Sequence, residues 1–298
     1  MAVCHDQKTW GSKSMNHSFP SLDPVEIRPT VGAVHAYSQL LGDWLGSGMA
    51  RRKHWWQLAV QPSIGGISTG LVRMGIDFEL ELDLERDCLC GRVANGGSFR
   101  ERLGGRPPGE LVEIIQGFLT HQGVDQSLLP ADKGRETDSL STPAYSVETA
   151  QTLGAAIRSV NAAMTTFRAG IPEETSPIQI WPHHFDLAMT WLPGMKIPGQ
   201  DPEDEESSDV QMNYGFTFGD DFIPEPYFYV TAYPLPGAFP NMSLPIGTKW
   251  QSEGFSGAVL PYSSLLKNDN PADYLLDLWS RLLTAGRKDF FFNLPEEI

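Results

Sequence analysis

Residues 181–186, Trp-Pro-His-His-Phe-Asp, carry the side chains best suited to chemistry. If this segment is a strand, alternate side chains share a face, so His184 and Asp186 project together while His183 points the other way. An imidazole and a carboxylate on one face are half of the facial triad that binds non-haem Fe(II). The familiar oxygenase pattern adds a histidine farther downstream, but His184 is the last histidine of the chain, so the candidate third ligand is His54, which lies upstream.

Three interpretations of this segment remain open. In the first, His54, His184 and Asp186 bind a divalent transition metal (iron, zinc, manganese or copper), and the chain is a metal-dependent oxidoreductase or hydrolase. In the second, an imidazole oriented by Asp186 acts as an acid–base catalyst without a metal. In the third, which the residues alone favour, the imidazoles bond backbone carbonyls and Asp186 within a half-buried aromatic cluster.

A second stretch, residues 227–233, alternates so that its tyrosines and Thr231 share one strand face. Phenols on one face give a pocket that is apolar in its body and hydrogen-bonding at its tips. The pattern favours an aromatic core, and the alternative is a pocket for a small aromatic or apolar ligand. The candidate ligand-binding residues are Trp55, Trp56, Trp181, Tyr227 and Tyr233, with Trp191 as a further wall.

Glu225 is a candidate carboxylate at the rim of such a pocket, because it lies between two prolines and close to Asp220 and Asp221. Paired carboxylates can carry out acid–base or glycosidic chemistry. The candidate catalytic residues are Asp186, His183, Glu225 and Tyr229.

Three further motifs are weaker. Residues 66–70, Gly-Ile-Ser-Thr-Gly, match a nucleophile elbow, but the residues that follow predict a strand where the elbow needs a helix. Arginines in the loop 100–109 precede a helix and could attract an anion, although a solvated loop is favoured. Cys88 and Cys90 share a strand face, and two thiols alone favour packing over a zinc site.

The elements that would position these residues follow from hydrophobic periodicity. Helices are predicted over 31–45, 110–120, 146–168 and 270–283, and strands over 54–61, 67–74, 76–85, 88–93, 177–192 with a break near Pro182, 212–218, 227–233 and 256–262. The predicted helices and strands do not alternate strictly along the chain, and this order predicts an α+β fold of antiparallel sheets with flanking helices.

Both parts of the chain predict a helix, strands and a second helix, and residues 54–60 resemble residues 183–189. We therefore expect two similar halves that form one compact unit, with a groove between them for a ligand. The predicted divisions are a flexible N-terminal arm (1–30), a first half (31–124), a linker (125–145) and a second half (146–290) that contains an acidic loop (200–210).

Five short motifs support a family resemblance. They are His54-Trp55-Trp56, Phe78-Glu79-Leu80-Glu81-Leu82-Asp83, Ser176-Pro177-Ile178, Phe185-Asp186-Leu187-Ala188 and Tyr227-Phe228-Tyr229-Val230-Thr231-Ala232-Tyr233-Pro234. In them the chain resembles the uncharacterised bacterial domain-of-unknown-function family 5996, over about residues 31–283. The resemblance implies a fold but no settled activity. Family members have a His where this chain has Gln179, and small residues at the positions of His183 and His184, so a site built on the histidine pair would not be a family trait.

Composition excludes several classes of protein. The 298 residues include 22 Lys+Arg and 37 Asp+Glu, and a net charge of -15 disfavours nucleic-acid binding. A mean hydropathy of -0.25 disfavours a membrane protein. The first 13 residues contain no secretory signal, and 3 cysteines suggest a reducing compartment, so we expect a soluble cytoplasmic chain.

Two functions remain open. The favoured one is a small-molecule enzyme with an aromatic pocket and a His/Asp site between the halves, with or without a bound metal. The alternative is a non-catalytic ligand-binding or interaction protein that uses the same aromatic groove. The sequence leaves the oligomeric state undetermined.

Overall fold

Two antiparallel sheets and the helices packed on them make up the computed structural model, which describes residues 19–130 and 144–293. The predicted α+β class is confirmed. Residues 1–18 of the predicted arm and 131–143 of the predicted linker lie outside the described residues. The internal duplication remains a prediction.

The first half of the chain folds into a six-stranded sheet with a helix before and after it. Its elements are α1 (Pro24–Gly48), β1 (Gln61–Pro62), β2 (Gly66–Ser68), β3 (Val72–Met74), β4 (Ile76–Asp83), β5 (Cys88–Val93), β6 (Ser98–Arg102) and α2 (Pro108–His121). The strand order is β1-β2-β4-β5-β6, with β3 paired to β4. On β4 the apolar side chains Phe78, Leu80 and Leu82 are buried, as their alternation predicts.

The second half folds into a seven-stranded sheet. Its elements are α3 (Val147–Ala169), β7 (Glu174–Thr175), β8 (Gln179–Trp181), β9 (Asp186–Leu192), α4 (Glu205–Ser208), β10 (Gln211–Thr217), β11 (Tyr227–Tyr233), β12 (Lys249–Gln251), β13 (Gly257–Pro261), α5 (Tyr262–Leu265) and α6 (Pro271–Asn293). The strand order is β12-β13-β11-β10-β9-β7, with β8 paired to β9.

One hydrophobic core joins the two halves. Helix α3 contacts α1 on one side and α6 on the other, and it touches strands of both sheets. The sheets also meet directly, because Val60 and Ile180 form an antiparallel bridge with N···O distances of 3.0 and 2.8 Å. Trp44 of the first half and Trp279 of the second half both belong to this core and are 1% and 0% exposed.

The inner face of the seven-stranded sheet packs on α3 and α6, which leaves its outer face open. Tyr214 of β10 contacts Phe167 of α3 and Trp279 of α6, with ring centroids 4.9 and 6.3 Å apart. Because side chains alternate along a strand, Asn213 and Gly215 then lie on the outer face. The outer face of β9, β10 and β11 is therefore the surface available to a ligand.

Two predicted helix ends are wrong, each for a physical reason. Helix α1 begins at Pro24 and not at residue 31, because Asp23 caps it by accepting from two backbone N–H groups and Pro24 takes the first helical position, where no N–H is needed. Helix α6 continues to Asn293 and does not end at 283, because Gly286 packs closely on the Met212 side chain of β10 and does not turn the chain.

Two predicted strands are also wrong. Residues 54–61 do not form an aromatic strand: Lys53–Leu58 is a 3-10 turn in which His54 and Trp55 have φ of 50° and 58°. Residues 67–74 form the two strands β2 and β3, because Gly70 turns the chain with φ of 62°. Among the described residues, no helix combines the length and apolarity needed to cross a lipid bilayer.

Candidate functional site

A cleft of about 470 Å³ opens on the outer face of the seven-stranded sheet. An adjoining cleft of about 490 Å³ continues along β11 and shares four lining residues with the first, namely His184, Asp186, Tyr229 and Thr231. The 3-10 turn Lys53–Leu58 of the first half forms one wall of the 470 Å³ cleft (the first cleft), so both halves of the chain contribute to it.

Asp186 and Tyr229 form a pair where the two clefts join. Asp186 begins β9, and the Tyr229 hydroxyl donates a hydrogen bond to its Oδ2 atom. Gly215 makes the pair possible, because it lies between Ala188 and Tyr229 in the strand register. A methyl group on Gly215 would overlap the Tyr229 ring, so the ring crosses β10 only because residue 215 is glycine.

The carboxyl group of Asp186 is desolvated and half satisfied. The residue is 8% exposed, and its Oδ1 atom is buried without a hydrogen-bond partner. Burial raises the pKa of Asp186, and the Tyr229 hydrogen bond and the nearby His184 offset only part of that rise. Burial, followed by the charge of Asp186, also raises the pKa of Tyr229. Asp186 is therefore suited to hold a proton that an ordinary aspartate would lose.

The two histidines lie on a turn and not on a strand. The N–H groups of His184 and Phe185 donate to the Trp181 carbonyl at 3.3 and 2.7 Å, and Phe185 has φ of 54°. The ring centroids of His183 and His184 are 4.4 Å apart and both residues line the first cleft, so the prediction that His183 points away is wrong. Partial burial and the neighbouring histidines lower the pKa of His183.

His54 is held by the predicted acidic loop. Its Nε2 atom lies 3.0 Å from Oδ2 of Asp209, and its backbone N–H donates to Oε2 of Glu205 at 2.7 Å. Lys53 and Lys196 reach the same carboxylate at 3.1 and 2.6 Å. Burial alone would raise the pKa of Asp209, but the hydrogen bonds from these three side chains outweigh it and lower the pKa.

The predicted metal ligands do not come together. Within residues 19–130 and 144–293, no three His, Cys, Asp or Glu side chains form a group that could hold a metal ion. His54 lines the first cleft, as His184 and Asp186 do, but its imidazole is hydrogen-bonded to Asp209. The bond to Asp209 orients the His54 imidazole, but the ring does not complete a ligand set.

The predicted aromatic wall is present in part. Three of the predicted tryptophans, Trp55, Trp56 and Trp181, line the first cleft. The Arg51 guanidinium carbon lies 4.3 Å from the Trp55 ring centroid. Trp191 lies on the inner face, where its indole N–H donates to Glu173 at 3.2 Å. Trp191 was therefore wrongly predicted to form a wall of the pocket.

The remaining predicted site residues divide between the clefts and their surroundings. Tyr227 lines the adjoining cleft, and its hydroxyl donates to Asp220. Tyr233 and Glu225 are not among the described residues that line either cleft. Tyr233 is 42% exposed at the end of β11, and Glu225 accepts a 3.0 Å hydrogen bond from the Ser263 hydroxyl.

Of the polar floor of the first cleft, sequence reasoning named only Thr231. Thr190, Asn213 and Thr231 are cross-strand neighbours on β9, β10 and β11. The Thr190 hydroxyl donates to Oδ1 of Asn213 at 2.7 Å. Thr190 is an even number of residues from Asp186, and Thr231 from Tyr229, so each pair shares a strand face. That alternation was the sequence signal that could have placed the two threonines on the floor of the cleft.

Comparison with known proteins identifies a family without an activity. A family model described as "Family of unknown function (DUF5996)" matches residues 19–290. No curated protein and no solved structure matches the chain.

Proposed function

The chain belongs to this family of unknown function, and we propose that it is a small-molecule enzyme in which Asp186 transfers a proton to or from a ligand bound in the first cleft. One observation carries the proposal: the buried Asp186 carboxyl has Tyr229 on one oxygen and no partner on the other.

The unpartnered oxygen is costly for a purely structural residue. A buried polar atom left without a hydrogen bond destabilises a fold by about 1–3 kcal/mol. A carboxyl at the junction of two clefts, with a raised pKa, meets the requirements of a general acid. The Tyr229 bond fixes the orientation of this carboxyl, so its free oxygen is the one that would meet a ligand atom.

The lining of the cleft indicates the kind of ligand. Trp56 and Trp181 offer flat apolar surfaces, while Thr190, Asn213 and Thr231 offer neutral hydrogen-bonding groups. Such a cleft suits a small ring compound that carries hydroxyl or amide groups. His183 and His184 line the same cleft beside this carboxyl.

A second candidate is a protein that binds the same kind of ligand without converting it. The closure of the site favours this candidate, because the Asp186 Oδ1 atom has no accessible surface. Proton transfer from Asp186 therefore requires Tyr229 or the 182–185 turn to shift when a ligand binds. Binding along the polar floor requires no such shift.

A ligand screen followed by a turnover assay separates the two candidates. Thermal-shift screening of monosaccharides, nucleosides and hydroxylated aromatic compounds would supply ligands, and NMR of each ligand would report its conversion. We expect Asp186→Asn to keep binding and to lose conversion, and Trp181→Ala to lose both. Glu225→Gln is the matched control, because its carboxylate lies outside the lining of both clefts.

Each outcome of the screen decides between named alternatives. Binding that depends on Trp181 with no conversion by the unmodified protein would leave the binding protein as the function. Ligands whose binding is unaffected by Trp181→Ala and Asn213→Ala would refute this cleft as the site.

A further inference from the structure

The adjoining cleft carries an unbalanced negative charge. Its lining includes the carboxyl groups of Asp186, Asp220 and Asp221, and no lysine or arginine is among the described residues that line it. Within residues 19–130 and 144–293, no Lys or Arg side chain forms an ion pair with any of these three groups. Even with a proton on Asp186, the other two carboxylates leave the cleft negative, so it favours a ligand group of positive charge.

The Asp220 carboxylate is held in place by its own loop. Its Oδ1 atom accepts from the N–H groups of Phe222 and Ile223, each at 2.8 Å, and the Tyr227 hydroxyl donates to its Oδ2 atom. A carboxylate fixed by three donors loses little further side-chain freedom when a cation binds beside it, which favours binding.

Aromatic rings line the same cleft. The ring centroids of Tyr227, Tyr229 and Phe255 lie 6.3–6.4 Å from one another, in a small apolar cluster that is separate from the main core. Because the three separations are nearly equal, one cation beside the rings can lie within about 6 Å of every centroid, which is the range of a cation–π contact.

A fourth ring, that of Phe222, stands at the edge of the cleft with one face open. Phe222 is 60% exposed, and its ring lies over Gly254, where a methyl group would come within 2.9 Å of three ring carbons. The opposite face of the ring is therefore available to a ligand. An open aromatic face next to the carboxylate of Asp221 suits an organic ammonium group, which interacts with both.

The buried Oδ1 atom of Asp186 lacks a donor, and an ammonium N–H is a donor. The positive charge of the ammonium group also favours the ionised carboxylate, whereas burial raises the pKa of Asp186 and disfavours that form. Contact with Oδ1 requires the same shift of Tyr229 or of the 182–185 turn that the proposed proton transfer requires.

We propose that the adjoining cleft binds the protonated amino group of the ligand whose ring occupies the first cleft, so that this chain acts on cyclic or aromatic amines. The inference rests on the proposed function, to which it adds the charge of the ligand. The two clefts share four lining residues, so one small molecule can span both. Its ammonium group would donate to Asp186 and be attracted by Asp220 and Asp221.

Isothermal titration calorimetry with two matched probes tests the preference for a charge. 2-Phenylethylammonium and 2-phenylethanol have the same ring and chain length, and both can donate a hydrogen bond, but only the first is charged at neutral pH. We expect the ammonium ion to bind about tenfold more tightly, and added salt to weaken its binding alone. Equal affinities would overturn the inference and leave the proposed function standing, because the first cleft would then take a neutral ring.

Two double variants test whether the adjoining cleft is the source of the preference. Asp220→Asn/Asp221→Asn removes two charges and keeps the side-chain oxygen that the Asp220 turn needs as an acceptor. It should weaken binding of the ammonium ion by at least about threefold and leave 2-phenylethanol unchanged. The matched control is Glu113→Gln/Glu148→Gln, which removes the same charge from exposed residues outside both clefts. Equal weakening by the two double variants would overturn the site.

Two aromatic variants separate this inference from the proposed function. Phe255→Leu keeps an apolar side chain without a ring and should weaken the ammonium ion by about twofold to fivefold, but not the alcohol. Trp181→Ala should weaken both probes, and no effect on either would refute the first cleft and with it the proposed function. Circular dichroism would show that each variant is folded.

A lysine side chain of another protein would carry the same chemical group as a free amine. Nα-acetyl-lysine N-methylamide represents that source in the same titration. We expect it to bind more weakly than 2-phenylethylammonium, because it has no ring for the first cleft. Tighter binding of the lysine derivative would overturn the assignment of a small-molecule amine.

Discussion

Gly215→Ala is the substitution that tests the construction of the site most directly. The methyl group would overlap the Tyr229 ring and push its hydroxyl away from Asp186. Overpacking of this kind costs about 1–3 kcal/mol. Loss of the hydrogen bond leaves Asp186 Oδ2 buried without a donor and adds about 1–3 kcal/mol. We therefore expect Gly215→Ala to lower the free energy of unfolding by about 2–6 kcal/mol.

Urea unfolding at pH 7 measures this loss, and the chain offers a matched control. Gly91 on β5 lies opposite Phe99 in the same way, with the aromatic ring packed over the glycine of the neighbouring strand. No hydrogen bond depends on the position of Phe99, so Gly91→Ala should cost only the overpacking, about 1–3 kcal/mol. Ligands found for the first cleft should bind Gly91→Ala normally and Gly215→Ala weakly.

A double-mutant cycle with Tyr229→Ala separates the overlap from other effects of the new methyl group. Without the Tyr229 ring, alanine at position 215 meets no obstacle from that ring and should be neutral or stabilise the strand by about 0.5–1 kcal/mol. Equal costs of Gly215→Ala in the two backgrounds would show that Tyr229 does not pack over Gly215, and the proposed geometry of the Asp186 carboxyl would then be wrong.

Three further predictions concern charges and a helix cap. Burial raises the pKa of Asp186, so the stability that this group contributes is full below pH about 3.9 and falls as the pH rises through its folded-state pKa. In urea titrations from pH 4 to 8, the free energy of unfolding of Asp186→Asn should therefore increase relative to the unmodified protein, by about 1.4 kcal/mol per unit of pKa difference. Asp209 has a lowered pKa, so its stability is present above pH about 3.9 and lost in acid; Asp209→Asn should cost about 1–3 kcal/mol at pH 7 and flatten the acid limb of the same titration. Ser146 caps α3 by accepting from the Thr149 N–H at 3.2 Å, and Ser146→Ala should cost about 1 kcal/mol in thermal or urea unfolding.

Elements with a clear period could be predicted from the sequence, and elements set by distant contacts could not. The alternation on β4 and the Ser146 cap of α3 each lie within one short window, and both match the structure. The turn at His54 and Trp55 has no local signal, because Glu205 and Asp209 hold it from across the fold. Aromatic residues at that point favour a strand locally, and the tertiary contacts override that preference.

The same distinction holds for the site. Sequence reasoning singled out Asp186 and Tyr229 separately, because each is on a strand with a readable alternation. Their pairing depends on Gly215, whose role is visible only once the register of β9, β10 and β11 is known. The histidine pair was placed on a strand, and the turn closed by Trp181 redirects both rings into the cleft.

Two residues of the proposed site lie within the motifs by which the chain resembles its family. Asp186 and Tyr229 each belong to one of these motifs, whereas the resemblance implies small residues at the positions of His183 and His184. The resemblance also implies a His at the position of Gln179, where the side-chain amide donates to the Trp56 carbonyl at 2.9 Å, a bond that an imidazole N–H can also make. The Asp186–Tyr229 pair is therefore the part of the proposed site to test across the family, and we expect the two histidines to influence ligand choice in this chain alone.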